Sequence, residues 1–437
     1  MMEQNDFKNG QTTIQFYAGL KTIGGTIFEI TYKNERLIAD FGIVFQNNLL
    51  KGVQLRPQHV ISDLKQLGVL PSIPNLFRSD ELTGDTTIAI SHLHLDHIGL
   101  LQYVHPDIPI IMSEESKALY GHLHAIGEES VDVDRQVKSV PFHQPIQVSA
   151  HIQVEFFPVN HDAPGTSAIR ITTPDTTIVY TGDVRLHGDD VETANLPNVA
   201  GSPDILIIET TNVQADFLDK NPVIQSEADE LIPALLKIDS TSIVFNIYHR
   251  NVRRLEILIE AARQKGKIIV FEPETAYLVQ AYNMEASHVR YLLDDSNVSN
   301  QIHAIEPITV EELNSDFSQV WLQSSYHQMM TLLDLPVKGA TYVHSNGVPL
   351  GSFDPMYEGL LEWVDKLGMG FVVLGVSGHA SAAQIKWLAD AMQAKVTIPL
   401  HGFTPELLQG PNQTFLPQTG VIYPISTLLK EIGPSSK

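Results

Sequence analysis

Apolar runs of strand length recur through the first part of the chain, at 25–32 (GTIFEITY), 36–42 (RLIADFG), 86–91 (TTIAIS) and 108–113 (IPIIMS). Their β-branched residues and turn-forming borders predict strands. The runs 153–159 (QVEFFPV), 166–173 (TSAIRITT), 176–183 (TTIVYTGD) and 204–210 (DILIIET) continue the pattern, with Asp, Gly or Pro at the junctions. Near Asn212 the rhythm changes. The segments 226–238 and 251–267 carry apolar residues at helical spacing and alternate with strand-like 242–248 and 267–273, a βα alternation. In the second of these helices Val252, Leu255, Ile259 and Ala262 line one face, with Asn251 as N-cap and Gly266 as the stop. After a less regular stretch at 314–351, the chain returns to a strand (371–377), a helix (382–393) and a strand (395–402), and the tail 433–437 is expected to fray.

A chain of 437 residues exceeds the usual single core, so two compact units are expected. No apolar run reaches the roughly 18 residues of a membrane span, and the N-terminal stretch has no basic region followed by an apolar one. A soluble, cytoplasmic protein is the expectation. With no cysteine, any metal must be held by His, Asp and Glu, a donor set for zinc, manganese or magnesium. The balance of 28 basic against 51 acidic residues, −23, repels polyanions at long range. A bound metal or a local cationic groove dominates only inside a cleft.

The run 90–101 (ISHLHLDHIGLL) changes the picture, because it packs three histidines and an aspartate into six residues. Histidines at i and i+2 on an extended segment point the same way, so His92 and His94 can hold one ion, and Asp96 keeps that register. His97 falls at the start of a predicted helix through Ile98, Leu100 and Leu101 and can face the opposite side, toward a second ion. His161, Asp183 and His401 each follow an apolar run, where α/β sites gather. An ion held by His92, His94 and His161, beside one held by Asp96, His97 and His401 with Asp183 bridging, makes a two-metal centre with room for a water. Isolated histidines such as His59, His122, His124, His143, His288 and His303 are read as surface or satisfied core residues.

His-x-His-x-Asp-His followed by a His, an Asp and a final His resembles the metallo-β-lactamase-fold hydrolases, over most of the chain. The resemblance implies an αββα four-layer sandwich and puts Asp40 at the family's early Asp, which orients the site from behind the ligands. Asp183 and His401 lie 218 positions apart (401 − 183) yet share that site, so the βα block after Asn212 is an insertion. The arrangement resembles the β-CASP branch, whose members act on nucleic acids and carry the insert as an α/β cap over the metal cleft. DILIIETT (204–211) resembles the branch's strand ending in Glu-Ser-Thr and places Glu209; SGHAS (377–381) matches its Ser-Gly-His-Ala and places His379; IPLHGFTPE (398–406) matches the final ligand strand. The implied division is 1–213 and 366–437 for the sandwich and 214–365 for the cap.

Phosphodiester cleavage needs an attacking hydroxide, charge neutralisation and a proton for the departing oxygen. Two divalent ions against Asp96, Asp183 and a hydroxide leave a surplus of about +1, which favours an anionic phosphate. Asp96 and Asp183 then act in catalysis as well as in metal binding, and His379, oriented by Glu209, donates the proton or holds phosphate. Arg250, Arg253 and Arg254 stand at i, i+3 and i+4 near a helix start, where a phosphate would also meet free backbone N–H groups. Their segment is similar to the cap helix of the ribonuclease J family, and 249–267 holds six Lys or Arg against two acids. A solvated helix face is the plainer alternative. Ser377, His379 and Ser381 complete the phosphate candidates, and SNGVPLG (345–351) faintly resembles that family's substrate-side loop.

Two positions depart from the family pattern: Gly375 stands where a His is usual and Asp162 where a Ser is usual, both changes that weaken RNA handling. Bacterial members also continue into a C-terminal domain that supports dimerisation, whereas this chain ends 36 residues after His401 (437 − 401), which leaves a homodimer open. The expectation is a ribonuclease acting on single-stranded RNA as a 5′ to 3′ exonuclease, an endonuclease or both, through a two-metal-activated hydroxide, with zinc first and manganese or magnesium as alternatives. Two rivals stay open: a two-metal hydrolase of a small phosphoester or ester, and a non-catalytic partner of an active ribonuclease.

Overall fold

The computed structural model describes residues 11–44, 50, 53–218, 223–240, 242–351, 354–408, 410 and 413–430, so the tail 433–437 lies outside the described residues. The chain divides into two compact units. One comprises Met1–Gly121, Ser130–Val223 and Gly378–Lys437; the other comprises His122–Glu129 and Ile224–Ser377.

The first unit holds two seven-stranded sheets. In one, Thr12–Ala18, Ile27–Tyr32 and Glu35–Ala39 run antiparallel, and Asp85–Ala89, Ile110–Ser113 and Val137–Val140 follow in parallel. In the other, Thr176–Tyr180, Ile205–Glu209 and Val396–Leu400 are parallel neighbours, with Ser167–Thr173 and Gln153–Pro158 paired antiparallel beyond them. Inward side chains of both sheets form one core: Ile14, Phe16, Phe28, Ile30 and Leu37 pack with Phe156, Ile169, Ile178, Ile207 and Ile398. The other face of the second sheet, through Val179, Leu206 and Ile208, is covered by Leu196 of helix Val191–Ala200 and by Ile385, Leu388 and Met392 of helix Ala382–Met392. This is the αββα arrangement, and it follows from strands that are apolar on both faces.

The second unit is a seven-stranded, wholly parallel sheet in the order Glu306–Ile308, Val289–Leu292, Ile268–Phe271, Val320–Gln323, Ile243–Ile247, Thr341–Ser345, Gly370–Val373. Its helices start where the caps dictate: Ser226 Oγ accepts the Asp229 N–H at 3.1 Å ahead of Glu227–Leu236, and Asn251 Oδ1 accepts the Arg254 N–H at 3.0 Å ahead of Val252–Gln264. Two sequence expectations change here. The stretch 314–351 supplies two central strands, Val320–Gln323 and Thr341–Ser345. The strand Gly370–Val373 pairs with Thr341–Ser345, so residues just beyond the expected border at 365/366 hydrogen-bond into the inserted sheet. No helix among the described residues is long and apolar enough to cross a membrane.

Candidate metal centre

Strand ends deliver the site. Asp40 follows Glu35–Ala39, Ser91 and His92 follow Asp85–Ala89, Asp183 follows Thr176–Tyr180, Glu209 ends Ile205–Glu209, and His401 follows Val396–Leu400. Asp40 and His401 adopt left-handed backbone (φ 56° and 53°), a strained conformation for residues with a Cβ that turns their side chains off the strand direction. His97 does not begin a longer helix as its sequence suggested. A single turn, Leu95–Ile98, carries it, with His94 as N-cap. Leu95 O keeps its helical bond from Gly99 N (2.7 Å) and also accepts from Ile43 N (3.1 Å), but the next two carbonyls are engaged elsewhere, Asp96 O by Gly25 N (3.1 Å) and His97 O by Phe41 N (2.7 Å), and the turn ends there. Gly42 permits this approach, since a Cβ there would lie 1.5 Å from Asp96 O.

The seven candidate ligands come together in two groups, His92 with His94 and His161, and Asp96 with His97, Asp183 and His401; within each group the ligand atoms lie within 4.8 Å of one another. Asp183 Oδ2 sits among four imidazoles, 3.3 Å from His97 Nε2, 3.5 Å from His401, 3.7 Å from His92 and 3.9 Å from His161. Asp96 Oδ2 lies 3.5 Å from His401 Nε2, on the side of the second group.

Four of the five rings are held from behind, while His94 turns its Nδ1 toward His161 Nε2 (3.3 Å). His92 Nδ1 meets Ser91 Oγ at 3.0 Å, His97 Nδ1 donates to Asp40 Oδ2 at 2.7 Å, His161 Nδ1 to Gly378 O at 2.5 Å, and His401 Nδ1 meets Thr26 Oγ1 at 3.1 Å. Among the described residues, the Nε2 atoms of His92, His97 and His401 and both oxygens of Asp183 are buried with no hydrogen-bond partner. Imidazoles fixed through Nδ1, with Nε2 bare and aimed at a buried carboxylate, form a donor set that suits a divalent metal ion. The electrostatics differ between the rings: burial disfavours a charged His97, but Asp183, Asp96 and Asp40 outweigh it and hold that ring well above the usual histidine range. Burial, then the neighbouring rings, press His92 and His401 well below the usual histidine range and so keep them neutral and able to ligate. Burial also pushes Asp183 up, a cost that a cation beside it would remove.

Beside this cluster Glu209 Oε1 accepts from His379 Nδ1 at 3.0 Å and from Val184 N at 2.9 Å, and Thr211 N donates to Oε2 at 3.2 Å. Burial alone would favour a neutral His379, but Glu209, Asp183 and Asp162 outweigh it and push the ring up to about 10. A fifth of its side chain (21%) reaches solvent. The ring is a charged donor at neutral pH.

The arginine candidates are placed differently. Arg250 is buried against Glu128 and Glu129 (3.0 and 2.8 Å), and Arg254 bonds Glu227 at 2.5 Å and the carbonyls of Ser345 and Val376 at 3.2 and 3.0 Å. Both guanidinium groups serve the inserted unit's own interior, Arg250 from the turn before the Asn251 N-cap and Arg254 from the first turn of the helix, so the expected shared helix face does not form; Arg253 is half-buried. Ser381 caps helix Ala382–Met392, accepting from Gln384 N at 3.3 Å, while Ser377 is exposed. Sequence reading passed over Thr26, Ser91 and Tyr180, whose hydroxyl donates to Asp40 Oδ2 at 2.7 Å. Only Ser91, adjoining the histidine motif, carried a signal; Thr26 lies 375 positions from its partner His401.

Residues 62–246 match the beta-lactamase superfamily domain. The chain is 23% identical to ribonuclease J of Mycolicibacterium smegmatis, over 98% of this chain and 74% of that one. It is 24% identical to ribonuclease J of Mycobacterium tuberculosis over 98% and 75%, and 23% identical to that of Pyrococcus abyssi over 88% of each. A crystal structure of an Enterococcus faecalis protein of unknown function superposes with a TM-score of 0.77 at 29% identity, over 94% of this chain and 99% of that one.

Proposed function

Since the chain is a metallo-β-lactamase-fold hydrolase, we propose that it is a ribonuclease that cleaves single-stranded RNA phosphodiesters with two divalent ions, zinc first among them. The observation that carries this reading is the Asp183 carboxylate, whose Oδ2 lies within 3.9 Å of four histidine Nε2 atoms. The ligand sets are His92, His94 and His161 for one ion and Asp96, His97 and His401 for the other, with Asp183 shared. When bound, such ions supply Lewis acidity toward a phosphoryl oxygen and lower the pKa of a water. Asp40, Ser91 and Thr26 hold three of the rings in the ligating orientation. His379, kept charged by Glu209, gives its Nε2 proton to the departing oxygen or binds the phosphate. The parallel-sheet insert is read as the β-CASP cap.

The names of the relatives support RNA as substrate, and the near-complete span of the resemblance extends that support to the insert. The test is decay of a 5′-monophosphorylated, 3′-labelled single-stranded RNA by metal-loaded protein, with Asp96→Ala and His379→Ala in parallel. Loss of substrate with wild type alone is the expected result, and a ladder of products would give the direction. Equal activity of wild type and Asp96→Ala on RNA would sink the reading. One set of observations favours a second reading, hydrolysis of a small phosphoester: the charge of −23 and the withdrawal of Arg250 and Arg254 into ion pairs. Turnover of bis(p-nitrophenyl) phosphate with RNA left intact would select it.

A further inference from the structure

Asp162 directly follows His161, and its carboxylate is not turned away from the site. Its Oδ1 lies 2.9 Å from His94 Nε2 and 3.2 Å from His161 Nε2, and its side chain is only 12% exposed. The backbone leaves room for it: at Gly378, whose carbonyl holds His161 Nδ1, a Cβ would come within 2.9 Å of both Asp162 Oδ2 and His161 Cε1. We propose that Asp162 is a further protein ligand of the ion held by His92, His94 and His161 with Asp183 shared, making that position a site of three imidazoles and two carboxylates. The proposal rests on the two-ion reading above.

Two physical arguments support it. Donors that share one ion at bond lengths of about 2.1 Å stand roughly 3 to 3.5 Å from each other, because that is the edge of the coordination polyhedron. The 3.2 Å separation of Asp162 Oδ1 from His161 falls in that interval, and the 2.9 Å separation from His94 lies just below it. His94 presents both nitrogens to this corner, Nδ1 at 3.3 Å from His161 Nε2 and Nε2 at 2.9 Å from Asp162 Oδ1, and a carboxylate that served only as acceptor for the Nε2 proton would lose that proton when Nε2 took up the ion. It would then be a largely buried anion beside ligated nitrogens, a costly state that ligation removes. The added carboxylate lowers the net charge at this ion by one and makes the donor set harder, which moves its preference from zinc toward manganese.

The experiment uses the full chain, stripped of metal and reloaded. Wild type, Asp162→Ser and Asp162→Asn are compared by metal content, by chelator competition for Mn2+ and Zn2+, and by the visible spectrum of the Co2+-loaded protein. Wild type should bind two ions. Both variants should hold one of them at least tenfold more weakly, the loss being larger for Mn2+ than for Zn2+, with a changed Co2+ spectrum. Unchanged affinities and spectrum in the variants would overturn the proposal and leave Asp162 as a hydrogen-bond partner of His94. A wild type that binds no ion would instead overturn the two-ion reading and this proposal with it, so the two failures are told apart. Gly378→Ala serves as the second variant should the Asp162 replacements not fold: its methyl group presses on Asp162 Oδ2 and on His161 Cε1 alike, so a loss larger for Mn2+ than for Zn2+ would mark the carboxylate, and an equal loss or no weakening would count against the proposal.

Discussion

Two buried polar clusters in this molecule are built on opposite rules. In the inserted unit Arg250 meets Glu128 and Glu129, and Arg254 meets Glu227, so positive and negative charges satisfy one another within hydrogen-bond distance. In the sandwich unit His92, His97 and His401 are tied down through Nδ1 while the opposite ring nitrogens and the Asp183 oxygens are left bare. A buried charge is tolerable when it is paired, and a group of buried donors that converge without pairing has a use for a cation. Residue type does not separate the two clusters, since both are dense in charge. What separates them is whether the inward-facing atoms are already satisfied.

The largest expected effect tests the satisfied cluster. Arg254→Met strands Glu227, which is fully buried, and should cost about 3–5 kcal/mol in urea unfolding. Arg254→Met with Glu227→Leu should recover most of that loss, because no unpaired charge remains, and neither change should alter the number of metal ions bound. A metal stoichiometry that falls in the single variant would break the contrast between the clusters.

The arginines also show where sequence stops being informative. Spacing at i, i+3 and i+4 suggests one helix face for Arg250, Arg253 and Arg254, but the helix starts at Val252, after Arg250, and the carboxylates that bury Arg250 lie more than a hundred positions away. The histidine motif was legible for the opposite reason, since its density is local and each later candidate follows an apolar run that ends at the same edge. Glu209 and His379 became visible only through the family resemblance. Thr12–Ala18, passed over as a strand, alternates buried and half-buried positions as a two-sided strand should, and its partner at the sheet edge, Ile422–Pro424, comes from the far end of the chain. The short helix at His97 was overestimated because apolar spacing cannot reveal that its carbonyls bond to residues 25–43.

A smaller effect probes an exception inside the insert. Glu272 is buried, yet its carboxylate is held by the neutral Ser325 N–H (2.6 Å) and Gln323 amide (3.5 Å), and burial pushes it up to about 7. Because the folded value lies above the unfolded one, its stabilisation is complete below the ordinary carboxyl range and is lost as pH rises through about 7. Glu272→Gln should therefore gain on wild type between pH 5 and pH 8, by on the order of 3 kcal/mol in unfolding free energy. A gap that does not change with pH would show this carboxylate to be paired like its neighbours.

The smallest effect asks whether the bare cluster depends on its supports. Asp40 is fully buried and accepts from Ser91 N (2.7 Å), Ser91 Oγ (2.8 Å), His97 Nδ1 (2.7 Å) and Tyr180 OH (2.7 Å). In Asp40→Asn one oxygen becomes an NH2 that faces other donors, so whichever way the amide turns, His97 or Ser91 loses its acceptor. The ring would then be free to rotate its Nε2 away from Asp183 without any ligand having been removed. Metal affinity by chelator competition should fall roughly 10- to 100-fold with both ions still bound at saturation. Wild-type affinity paired with a lowered unfolding midpoint would mean that Asp40 only knits the fold together, as Glu227 does, and that convergence of the bare nitrogens does not need it.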